Sequence, residues 1–150
     1  MGSRNKGFTL VELMVTIAII GILMATAVPV YHTWQQRAYG SEAAVMLRQI
    51  INAEIAYYLE NNEFYPSDST ISIYHSGPTI PSDAVNKVEK ELNIKIPQGH
   101  FINYDLSSEK GMFYVIITSQ GNFNLFNGTP QVFASLDKDG KSEIVYAPKE

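Results

Sequence analysis

The chain has 150 residues, a formal net charge of −4, 45% hydrophobic residues and no cysteine. That length leaves room for one soluble domain of about a hundred residues beside a membrane-length apolar stretch, and no disulfide can staple that domain. The acidic balance makes a poor general binder of nucleic acid, so no nucleic-acid partner is expected.

Residues 1–7 are polar and carry Arg4 and Lys6, and the chain then turns apolar from Leu13 to Val28 before Pro29. A span of about 20 apolar residues is long enough to cross a bilayer as a helix. Glu12 lies in the first turns of that span, where an ionisable group is costly in lipid and requires a partner. An ordinary secretory signal places its cleavage point after the apolar core, whereas here the polar leader ends before it. Read from hydropathy alone, the segment is compatible with an uncleaved signal anchor, which leaves the Gly7-Phe8 junction and Glu12 unexplained.

The run Lys6-Gly7-Phe8-Thr9-Leu10-Val11-Glu12, continued by Ala18-Ile19-Ile20-Gly21-Ile22-Leu23 up to Pro29, resembles the N-terminal region of type IV pilins and the related pseudopilins. The resemblance covers roughly the first third of the chain. It implies a leader, residues 1–7, removed by a prepilin peptidase that cuts between Gly7 and Phe8 and methylates the new N-terminus at Phe8. It further implies that residues 8–30 anchor the subunit in the bacterial inner membrane as a single pass, and later become the core of a helical homo-oligomeric filament. An inner-membrane assembly platform would be the second partner. Loss of Arg4 and Lys6 with the leader takes the net charge from −4 to −6 before terminal groups.

Glu12 follows Phe8 by four helical residues, about 6 Å along the axis. The two groups can meet within one subunit or between staggered neighbours, and the resemblance implies the second arrangement, with Glu12 setting register. Gly21 and Pro29 punctuate the same helix. Proline removes a donor and obstructs the Ala25 carbonyl, so residues 21–29 are expected to be its weakest part, irregular in a filament or gently bent in an isolated subunit.

Beyond Pro29 the pattern becomes amphipathic. Leu47, Ile51, Ile55 and Tyr58 form one stripe, and Met46, Ile50, Ala53 and Tyr57 a second about a third of a turn away. One stripe is expected to face the sheet and the other a loop of the same domain or a neighbour's helix. Helix is expected from near Phe8 to about Asn62, a rod of roughly 80 Å. Tyr31, Trp34, Tyr39, Tyr57, Tyr58, Phe64 and Tyr65 do not fall on one narrow stripe, so packing is the expected role of these aromatics rather than an electron route.

Residues 67–99 read as loop around one short helix, capped near Ser82 or Asp83 and carrying Ala84, Val85, Val88 and Leu92 on one face. Four strands follow, at residues 100–105, 112–119, 131–136 and 142–147. The fold class is therefore α+β, a long helix packed on an antiparallel meander, with residues 31–150 forming the head.

Asp137-Lys138-Asp139-Gly140 is a hairpin turn signal that lacks the ligand spacing of a calcium loop. Some pseudopilins hold calcium in this region, so Asp137 and Asp139 are carried forward as metal candidates, and no other metal or cofactor is expected. His32, His75 and His100 stand apart without a nucleophile or metal spacing, so no enzyme is expected. The resulting function is a structural subunit of a type IV pilus-like filament, exported to the cell exterior. Two alternatives stay open: a major pseudopilin of a type II secretion system forming a periplasmic pseudopilus, and an adhesin or DNA-uptake minor pilin.

Overall fold

The computed structural model describes residues 7–75, 82–97, 101–121, 123–126 and 128–147. They comprise helix α1 (Leu10–Asn61), strand β1 (Thr70–Ile73), helix α2 (Ser82–Leu92) and strands β2 (Ile102–Glu109), β3 (Met112–Ser119), β4 (Gln131–Asp137) and β5 (Ser142–Ala147). The chain divides into two compact units, Met1–Trp34 and Gln35–Glu150. The leader residues 1–6 and His100 lie outside the described residues.

In the first unit, residues 10–34 are helical and their large apolar side chains are exposed, including Leu13, Ile17, Ile20, Leu23 and Val28. The threonine hydroxyls of this stretch are satisfied from within it. Thr16 Oγ1 donates to the Glu12 carbonyl at 2.7 Å, Thr26 Oγ1 to the Leu23 carbonyl at 3.0 Å and Thr33 Oγ1 to the Pro29 carbonyl at 3.1 Å. A helix that closes its hydroxyls on its own carbonyls presents few unpaired polar groups to an apolar solvent. Pro29 sits inside α1 without ending it. Loss of one backbone donor leaves the helical bonds on either side in place, so residues 21–29 remain helical in this isolated chain.

In the second unit, a single meander orders the strands β1-β2-β3-β4-β5, every neighbouring pair antiparallel. Period-two alternation decides which face is the core. Ile102, Tyr104 and Leu106 of β2 are buried opposite Ser119, Ile117 and Val115 of β3, and Phe113, Val115 and Ile117 in turn pair with Leu136, Ala134 and Val132 of β4. The β2–β3 turn has two residues, Lys110 and Gly111, at φ 53° and 77°, the left-handed pair that matches the twist of a tight hairpin. α2 buries Val85, Val88 and Leu92, the three large apolar residues expected on one face, and Ala84 packs partly against the core.

The sheet has five strands where four were expected. β1 is only four residues long, Thr-Ile-Ser-Ile between serine-rich and loop-like segments, too short for its alternation to stand out. β2 also runs on to Glu109 beyond the expected end at Asp105. Its second half keeps a core-facing serine because Ser108 serves the connection after α1: its hydroxyl donates to the Pro66 carbonyl and accepts the Asp68 N–H.

Both stripes of α1 find their cover inside the second unit, so of the two partners expected for the second stripe it is the same domain, and not a neighbour's helix, that buries it. Met46, Leu47, Ile50 and Ile51 are all buried in the same cluster, and Ala53, Ile55, Tyr57 and Tyr58 pack partly against it. The core that covers them draws on the sheet and also on Val85, Val88, Leu92 and Ile96 from α2 and its trailing segment, so one broad face of the helix is used inside the monomer. Five of the seven aromatics singled out from the sequence pack as expected. Tyr39 lies 5.1 Å from Phe123, Tyr58 lies 4.6 Å from Phe64 and Tyr57 lies 5.7 Å from Tyr65, measured between ring centroids. Tyr31 and Trp34, in the first unit, are 65% and 72% exposed.

Candidate assembly site

Thr9 precedes the first residue of α1 and Glu12 is its third, the spacing of a capping box. The geometry is reciprocal. Glu12 N–H donates to Thr9 Oγ1 at 3.2 Å, and Glu12 Oε2 accepts the Thr9 N–H at 2.9 Å and the Thr9 hydroxyl at 2.7 Å. Two of the orphan donors at the helix start are thereby closed, and the carboxylate is folded back toward Phe8 instead of lying along the helix flank. Sequence reasoning passed over Thr9, although Thr-x-x-Glu before an apolar run is a recognisable signal.

Phe8 itself is 85% exposed. A side-chain carbon added at Gly7 or at Gly21 would meet nothing within 4 Å, so neither glycine is required by the contacts of this chain alone. Gly40 is the contrast. It is buried in α1, and an added carbon there would collide with the backbone carbonyl oxygen of Leu125. Gly40 is therefore needed for packing inside the second unit, a role that could not be read without the distant loop.

The remaining candidates do not gather into a site. Asp137 is used by its own turn: Oδ1 accepts the N–H groups of Asp139 at 3.0 Å and Lys141 at 2.9 Å, and Gly140 follows at φ 77°. Asp137 and Asp139 thus form the expected hairpin turn between β4 and β5. His32 lies in the first unit against Tyr31, whereas His75 is buried in the second, its Nδ1 2.6 Å from the Ile102 carbonyl. Because a carbonyl only accepts, that nitrogen carries the proton. Among the described residues no group of three His, Asp or Glu side chains is placed to hold a metal ion.

Residues 2–28 match the family model of the prokaryotic N-terminal methylation motif. The chain is 41% identical over 94 residues to the type IV major pilin protein PilE of Neisseria gonorrhoeae, covering 63% of this chain and 56% of that protein. It is 42% identical over 89 residues to a fimbrial protein of Neisseria meningitidis, covering 59% of this chain and 52% of that protein. With the type IV major pilin protein PilA of Myxococcus xanthus it shares 43% identity over 61 residues, 41% of this chain and 28% of that protein. The chain spans about half the length of the Neisseria relatives it matches. No solved structure matches it. The methylation motif over residues 2–28, the identity with major pilins and the long helix followed by an antiparallel sheet agree, and together they make this chain similar to the type IV major pilins.

Proposed function

We propose that this protein is the structural subunit of a type IV pilus-like filament. Its precursor is cut between Gly7 and Phe8 by a prepilin peptidase and methylated at Phe8, residues 8–30 hold it in the inner membrane as a single pass, and an assembly platform transfers it into an extracellular helical homo-oligomer. The observation that carries this reading is an apolar helical surface left wholly exposed by its own chain, interrupted by one carboxylate at its start. Such a surface is stable in lipid or against copies of itself, so extraction from the membrane amounts to exchanging lipid tails for other helices.

The two contact-free glycines fit the same scheme. Gly7 answers to the peptidase and Gly21 to close approach by a neighbouring helix, where small residues let backbones come together. Processing frees an amine at Phe8, beside which the capping box already holds the Glu12 carboxylate, and a neighbouring subunit's amine can then compete with Thr9 for it. The head, residues 31–150, acts as a non-catalytic scaffold. The similar proteins bear the names of major pilins, so this reading is preferred to the secretion pseudopilin and the adhesin.

Glu12→Ala tests it. Insertion becomes easier when the carboxylate is removed, while the registering partner is lost. The expected outcome at native expression is a full membrane pool of subunit and a filament yield reduced at least tenfold. Normal filament yield from that variant would overturn the role given to Glu12.

A further inference from the structure

Glu54 is a carboxyl group with no exposed surface. Its Oε2 accepts the backbone N–H of Tyr65 at 3.0 Å, and its Oε1 is buried without a hydrogen-bond partner among the described residues. That bond spans the reversal between α1 and β1. The reversal begins at Asn62, in the left-handed region at φ 58°, and is pinned by rings: Phe64 lies 4.6 Å from Tyr58 and 6.1 Å from Phe113, and Tyr65 lies 5.7 Å from Tyr57.

Glu91 on α2 bears on the rings of Tyr57 and Tyr65 beside this bond, Glu63 bears on Tyr57, and Glu60 and Lys95 line the same groove as Tyr57 and Glu91. Burial, reinforced by negative neighbours, raises both phenols above their ordinary range. A charged Glu54 would be a carboxylate buried away from water with one oxygen unserved, which is among the costlier arrangements a core can hold. Its neutral acid form buries no charge, and the carbonyl oxygen of a protonated carboxyl still accepts the Tyr65 N–H, though less strongly than a carboxylate would.

We propose that Glu54 is a proton-operated latch: protonated, it seats the α1-to-β1 reversal on the helix, and on losing its proton it releases the Tyr65 amide and loosens residues 62–66 from the head. This device goes beyond the filament reading and stands independently of it. Burial pushes the carboxyl from 4.5 up to about 8, opposed only in part by the bond from Tyr65. The folded chain therefore holds a proton that the unfolded chain has lost between those two values. The latch's contribution to stability is complete below pH 4.5 and is lost as the pH rises through about 8.

The test uses the full chain in detergent micelles, measuring hydrogen-exchange protection of the Tyr65 amide from pH 4.5 to beyond about 8 in the native protein and in Glu54→Gln. Glutamine offers the same acceptor and no proton to lose. Protection in the native protein is expected to fall by about tenfold per pH unit between pH 4.5 and about 8 and to level off above that, while the variant stays level throughout. Parallel behaviour of the two chains, or level protection in both, would overturn the latch. The infrared carbonyl band of a protonated carboxylic acid gives a second reading in the native protein alone: it is expected at neutral pH and absent in alkali, and its absence at neutral pH would overturn the proposal even if the variant failed to fold.

Discussion

Ile50→Ala is expected to lower the stability of the head by about 3–5 kcal/mol, because Ile50 has no exposed surface and belongs to the core cluster to which α1, α2 and the sheet all contribute. Removal of three buried carbons costs their transfer free energy and, in a site walled by several elements, leaves a cavity that collapses poorly. Leu47→Ala should cost a similar amount, since Leu47 is buried in the same cluster. Leu59→Ala is the control on the same helix: Leu59 is 80% exposed and its loss should stay within about 0.5 kcal/mol. Denaturant unfolding of the full chain in detergent decides the matter. A small effect at Ile50 beside a large one at Leu47 would restore the division of α1 into a monomer face and a neighbour face.

Gly40→Ala carries the second large effect, and its sign is the informative part. In an unobstructed helix interior the change would be favourable by about 1 kcal/mol, because glycine is the more flexible residue. At Gly40 the new carbon collides with the Leu125 carbonyl oxygen, a backbone atom that cannot swing aside as a side chain would. Overpacking of this kind costs about 3 kcal/mol, so the net expectation is a loss of about 2 kcal/mol and a midpoint lowered by about 10 °C. Gly21→Ala meets nothing and should leave the isolated chain as stable or slightly more so. A rise in the midpoint for Gly40→Ala would mean that the loop carrying Leu125 yields at little cost.

How far these features could be read from the residues depends on the range of the physics behind them. The apolar span, the end of α1, the face of α2 and the pairing of β2 to β5 rest on local periodicity and turn chemistry, and each is visible in a window of about ten residues. The capping box at Thr9 and Glu12 is equally local, but a carboxylate four residues from a new terminal amine points to that amine first, and the Thr-x-x-Glu spacing lies hidden behind it. β1 escaped because four residues carry too little pattern. Gly40 and Glu54 are different in kind. A glycine in a helix and a glutamate on an amphipathic helix ordinarily signal flexibility and solvent, and only Leu125 and Tyr65, brought in by the fold, show that one is a close approach and the other a buried acid. The same holds for the stripes: periodicity shows that Met46 and Ile50 need cover, while α2 and the sheet together show that the chain supplies it itself.

The central claim, a subunit processed before its apolar helix and stored in the membrane until it polymerises, is tested most directly by the intact mass and N-terminal sequence of the protein in filaments sheared from the cell surface. The expected chain begins at Phe8, carries one methyl group on its terminal amine and retains residues 8–30. Filaments built from a chain that begins at Met1, or from one cut beyond Val28, would contradict it.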